Sequence, residues 1–198
     1  MTVTIDISTL NYDEWLSFVF DHPIHEPLWH FSGEWGYDVS NPEKTLGYIT
    51  QLFKNPAILL KRFSLPHIEQ GFWFLPSPNG LMWLLVLPTI PWEARREAIR
   101  SIGTLFNTLF SQVELNNSVY MWWDSLIEYC AWENQDVITD RQVLEEIVAV
   151  LSKLNASSSS SVQKSTRHGV GRLQAIANKE ADKELDGMLK SFGLISPS

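Results

Sequence analysis

Apolar residues along most of this chain recur three and four positions apart, the spacing of one helical face. Tyr12, Trp15, Leu16, Val19 and Phe20 make the first such stripe, which stops before Pro23. Residues 22–39 carry no period: Pro23, Pro27, Gly33 and Gly36 interrupt Trp29, Phe31, Trp35 and Tyr37, and the segment reads as a long aromatic loop. Asn41-Pro42 and Asn55-Pro56 each set a capping side chain before a proline at the first helical position, and Ser64 with Pro66 is a weaker start. These signals predict helices over 42–54, 56–62 and 65–75.

Residues 76–80 read as a turn. The apolar run 81–87 fits a short buried helix or a strand, and the lack of evident strand partners favours helix. After Pro91, Ile99, Ile102, Phe106, Leu109, Phe110 and Val113 form an amphipathic stripe, with Arg95, Arg96 and Glu97 near its solvated start. Residues 118–132 are apolar nearly all round and belong at the centre of the fold. Thr139 with Gln142 makes a capping box before Leu144, Ile147, Val148, Leu151 and Leu154. The serine tract 157–161 reads as a short linker or as a capped first turn, the linker being favoured; a helix through Val162, Val170, Leu173 and Ile176 follows. A last helix carries Ala181, Leu185, Met188, Leu189 and Phe192, with Gly193 as its C-cap, and the tail 196–198 is expected to fray.

The pattern predicts an all-α fold of about eight or nine helices, an irregular α-α superhelix or bundle in one domain over 1–198. Its parts are an aromatic-rich section 1–90, central helices 91–155 and a helix pair 156–198. Helix pairs from residue 93 onward suit stacking like HEAT-type repeats.

Composition narrows the function classes. Of the 198 residues 44% are hydrophobic and nine are tryptophan, so large rings dominate the core and their buried N–H groups need acceptors. A lone cysteine, Cys130, excludes an internal disulfide framework and suits a reducing compartment. The first ten residues lack the basic and apolar regions of a signal peptide, and the most apolar window, 80–87, is far too short to span a bilayer. A cytoplasmic, membrane-free location is expected. The net charge of −8 argues against nucleic acid as a partner. Charge is uneven: residues 114–146 hold eight acids and one base, Arg141, whereas 153–172 hold four bases and no acid.

Three phrases form a familiar set: Trp15 through Phe18-Val19-Phe20-Asp21-His22-Pro23; Tyr120-Met121-Trp122-Trp123-Asp124; and Arg167-His168-Gly169-Val170-Gly171-Arg172-Leu173. Together they resemble a group of uncharacterised bacterial helical proteins whose C-terminal section is similar to a HEAT-type repeat. That group often carries a second histidine where Arg172 stands. The resemblance implies a helical fold and supplies no activity, substrate or catalytic residue.

Two constellations bear chemistry. His22, His25 and His30, near Asp21, Glu26 and Glu34, offer imidazole and carboxylate ligands for a transition metal, in a spacing that matches no strong motif. A simpler reading gives His22 a place at a helix C-terminus. Asp124, beside Trp122 and Trp123 and four residues before Glu128, resembles half of a carboxylate pair in a carbohydrate cleft. Its simpler role is to accept an indole N–H or to pair with Arg167 or Arg172. The glycines of His168-Gly169-Val170-Gly171 lack a phosphate-loop order and suit close helix approach instead. No nucleophile elbow occurs, and Cys130 has no basic neighbour to activate it.

These observations favour a non-catalytic protein-interaction module, an adaptor or immunity-type protein without cofactor whose partner is another protein. Its expected binding residues are Trp29, Trp35, Tyr37, Asp124, Glu128 and His168. The competing expectation for Trp29, Phe31, Trp35 and Trp73 is that they only seal the core. The rival class is a small metal-dependent hydrolase using the histidine loop, and a third is a subunit of a larger complex. Oligomeric state is open.

Overall fold

Asn11 opens the first helix with a reciprocal capping box: its side chain accepts the Glu14 N–H at 3.0 Å while Glu14 accepts the Asn11 N–H at 2.8 Å. The computed structural model describes residues 3–33, 35–115, 117–132, 141–179 and 182–196, with the side chains of 3, 35, 125 and 128–132 outside the description. Among the described residues there are nine α-helices. They are α1 (Tyr12–Phe20), α2 (Pro42–Lys54), α3 (Ala57–Arg62), α4 (Leu65–Phe74), α5 (Trp92–Leu105), α6 (Ser118–Trp132), α7 (Arg141–Asn155), α8 (Ser160–Lys179) and α9 (Lys183–Ser191). The all-α expectation holds. The run 81–87 contains a 3-10 turn, Met82–Leu85, and α5 runs on into a π-helical turn, Phe106–Phe110.

Side-chain caps explain several boundaries. Asn41 accepts the Lys44 N–H at 3.0 Å ahead of Pro42, as expected. Asn55 does not cap α3: its amide reaches back to the Gln51 carbonyl at 3.3 Å, because α3 follows α2 too closely for the residue to serve both ends. Ser64 makes no cap bond either, and pairs with His67 Nδ1 at 2.7 Å. Thr139 and Ala181 lie outside the described residues. Asp182 is the cap of α9, accepting the N–H groups of Glu184 and Leu185 at 3.1 and 2.9 Å. At the other end Gly193, with φ of 67°, turns the chain so that Leu194 N–H meets the Leu189 carbonyl at 3.0 Å. The serine tract divides: residues 156–159 make the turn, and Ser160 and Ser161 already belong to α8.

A small parallel sheet corrects the reading of the N-terminal section. Strand β1 (Val3–Asp6) pairs with β2 (Trp35–Asp38) in the register Val3 to Trp35 through Asp6 to Asp38. Asp6 anchors its end, accepting the Ser8 N–H at 2.9 Å and the Ser40 hydroxyl; these hydrogen bonds, Ser40's first, hold its carboxyl below the usual range. The segment 22–39 is therefore partly regular, with a 3-10 turn at Trp29–Phe31 ahead of β2.

The core has two aromatic centres. Phe53, Phe72, Phe106 and Phe110 stand edge-on to the fully buried Trp122, with ring centroids 5.7 to 6.3 Å apart. Phe18, Trp29, Tyr37 and Phe74 form a second cluster beneath β2. Among the described residues the expected acceptors are missing for four indoles: the N–H groups of Trp15, Trp29, Trp122 and Trp123 are buried and meet no hydrogen-bond partner there. Helices α5, α7 and α9 touch in succession, and α6 packs on α8, which also meets α7 and α9. Arg95, expected at a solvated helix start, is only 6% exposed; Nε donates to the Ile90 carbonyl at 3.2 Å and the guanidinium lies 5.3 Å from the Trp92 ring. It folds inward because the 82–90 segment presents carbonyls that need a donor.

Candidate functional site

Where α6 crosses α8, Gly169 admits Trp123 and the Ser165 hydroxyl donates to the Val119 carbonyl at 2.6 Å. One turn further along, His168 Nε2 is 2.7 Å from Asp124 Oδ2, and Arg172 Nε lies 2.7 Å from Asp124 Oδ1 with its N–H off the line of that oxygen. The contact is an ion pair rather than an aligned hydrogen bond. Tyr120 covers the imidazole at 4.2 Å, and Lys164 Nζ stands 5.1 Å from the tyrosine ring. Asp124 thus pairs with Arg172, and Arg167 is exposed.

A histidine oriented by a carboxylate is half of a general-base arrangement. Here the carboxylate is shared with a guanidinium, and among the described residues no serine, threonine or cysteine is hydrogen-bonded to His168. The arrangement ties α6 to α8. The second carboxylate of the expected pair, on Glu128, lies outside the described side chains.

The three loop histidines take separate roles. His22, 5% exposed, donates from Nε2 to the Phe18 carbonyl at 2.6 Å and stacks on Trp29 at 3.8 Å. Burial lowers its pKa, against the opposing pull of that carbonyl and of Asp21. His30 is 8% exposed, packs on Phe31 and Phe74, and finds no partner for either ring nitrogen among the described residues; burial, then the proximity of His22, pushes its pKa down to about 4. His25 is exposed. Among the described residues no group of three or more histidine, cysteine, aspartate or glutamate side chains is placed to hold a metal ion. Glu34 and Cys130 lie outside the described side chains.

Of the expected aromatic binding residues, Trp29 is 3% exposed and seals the core beneath His22. Tyr37 is half-buried and donates its hydroxyl to the Gly80 carbonyl at 2.6 Å. Trp35 is placed only as a residue of β2. Phe31 is exposed, at 56%, on the lip of a shallow hollow of about 450 Å³ that Tyr37, Phe74 and Asn79 also line.

A second hollow brings together residues that no sequence motif joins. It lies beside α4 and measures about 430 Å³. Ile24 and Leu65 form its apolar rim, 49% and 45% exposed, with Trp73 and Leu115 deeper and Glu26, Glu69 and Glu114 around them. Glu69 has a structural duty, since Oε1 accepts the Asn117 and Ser118 N–H groups at 3.2 and 3.0 Å and so caps α6 from across the fold. Gln70, 2% exposed, donates from Nε2 to the His22 carbonyl at 2.8 Å and leaves Oε1 without a partner. The sequence signals for this hollow are faint: Ile24 neighbours Pro23 outside any helical stripe, and Leu65 stands at the first position of α4.

No helix among the described residues is long and apolar enough to cross a membrane. No family model, curated protein or solved structure matches the chain, so the expected likeness to HEAT-type proteins gains no support from those comparisons.

Proposed function

We propose that this chain is a non-catalytic protein-interaction module whose binding face is built from its aromatic N-terminal section. One observation carries the reading. Of the five large hydrophobic side chains exposed among the described residues, Ile24, Phe31, Leu60 and Leu65 all come from residues 24–65. Two of them, Ile24 and Leu65, line one hollow, and an exposed apolar patch of that kind is what a partner-binding face requires. The polar groups that looked reactive in the sequence are engaged elsewhere in holding helices together, His168 and Asp124 between α6 and α8 and His22 at the end of α1. Helices α5, α7 and α9 in one layer and α6 with α8 in another support a HEAT-type scaffold as part of the proposal. A reducing, cytoplasmic setting belongs to it too, on the strength of the single Cys130.

Affinity capture from cells that express the protein, with the wild type and an Ile24→Ser/Leu65→Ser variant compared side by side, tests the proposal. Both side chains are near half exposed, so the variant keeps its circular dichroism spectrum. Loss of a stoichiometric partner in the variant supports the assignment; a partner retained in full by the variant contradicts it.

A further inference from the structure

We infer that the hollow beside α4 receives an arginine side chain, flanked by aliphatic residues, from a segment of the partner protein. The inference rests on the interaction-module reading and specifies its partner. Gln70 supplies the first argument. Its Nε2 donates to the His22 carbonyl, which only accepts, so the amide orientation is settled and Oε1 is left as an acceptor facing no donor. A buried carbonyl oxygen without a donor costs stability that a bound N–H recovers.

Charge supplies the second argument. Glu26 and Glu114 are exposed, Glu69 lines the same hollow, and among the described residues no lysine or arginine lines it. The net charge of −8 favours the approach of a cation to the protein as a whole. The walls decide between cations. Trp73 and Leu65 offer a flat ring and an apolar wall, which suit the planar guanidinium and its three-carbon stem better than a compact, strongly hydrated ammonium. The exposed Ile24 and Leu65 then take aliphatic neighbours of that arginine, which a free guanidinium compound lacks.

Fluorescence anisotropy with a fluorescein-labelled Gly-Leu-Arg-Leu-Gly peptide, and with the same peptide carrying uncharged citrulline for arginine, tests the inference on the full chain. The arginine peptide is expected to bind about tenfold more tightly and to weaken with added salt. A Glu26→Gln/Glu114→Gln variant, altered only at exposed positions, is expected to lose about fivefold or more of that affinity. Gln70→Leu is expected to weaken binding as well, and the exposed-site variant decides the matter if that protein does not fold. Equal affinity for the two peptides, indifference to Glu26→Gln/Glu114→Gln, or no binding at all overturns the inference. Partner capture that depends on Ile24 and Leu65 while the arginine peptide is ignored overturns it and leaves the interaction module standing. Loss of that dependence is the failure of the module reading itself.

Discussion

Gly169 of α8 lies flat against Trp123 of α6, so close that a β-carbon there would stand 2.7 Å from the indole Cγ and 2.9 Å from its Cβ. Two turns of helix meet at this point with no room for a methyl group, and the indole is fully buried, so it has nowhere to retreat. The neighbouring Gly171 is exposed with nothing within 4 Å. The pair sets an internal control: Gly169→Ala should destabilise by about 2 to 3 kcal/mol through overpacking, whereas Gly171→Ala should stabilise by roughly 0.5 to 1 kcal/mol through helix propensity. Urea denaturation of the two variants checks both signs.

The Asp124, His168 and Arg172 cluster is assigned a structural role, which a double-mutant cycle can measure. Asp124→Ala and Arg172→Ala should each weaken folding, with a coupling of about 0.5 to 1 kcal/mol, because Arg172 is 38% exposed and partly screened. Zero coupling in thermal or urea unfolding would remove the ion pair from the account.

Arg95 anchors the 82–90 segment to α5 through the carbonyls of Ile90 and Leu85, at 3.2 and 3.4 Å. Arg95→Met keeps the apolar stem and deletes the donors, so it should cost about 1 to 3 kcal/mol for the carbonyls left unpaired. A variant as stable as wild type in urea would mean that those carbonyls find other donors.

His30 gives the pH dependence a definite sign. Its folded pKa of about 4 lies below the ordinary 6.5, so between these values the unfolded chain takes up a proton that the folded chain refuses. Stability is therefore complete above pH 6.5, declines as pH falls, and has lost its full share once pH reaches 4. At about 1.4 kcal/mol per pH unit that share is on the order of 3 kcal/mol. Burial of His22 works in the same direction. His30→Leu should flatten the decline over that range and leave stability at pH 7 equal or higher, since it also removes two buried nitrogens without partners. Unfolding free energies measured across the range test this.

Much of the helical framework was legible because local signals and burial agree in it. Asn41-Pro42 marks the start of α2 to the residue, and Gly193 closes α9 at positive φ. Elsewhere the deciding interaction comes from far along the chain. Strands β1 and β2 have four residues each, too few for a readable alternation, and pair across some thirty positions. Arg95 turns inward because of the Leu85 and Ile90 carbonyls in the segment before α5, which no stripe on α5 announces. The candidate site was the least legible part. Ile24, the α4 residues Leu65 and Gln70, and Glu114 come from three separate segments and meet only through packing, whereas the visible aromatic and histidine residues of 22–37 largely went into the core.

Site-specific photo-crosslinking tests the central claim most directly. With a benzophenone amino acid placed at Leu65 in one protein and at the exposed Lys179 of α8 in another, illumination in the native cell is expected to join a partner to the first and leave the second bare. Crosslinking at Lys179 alone, or an equal yield at both positions, would contradict an interaction face on the N-terminal section.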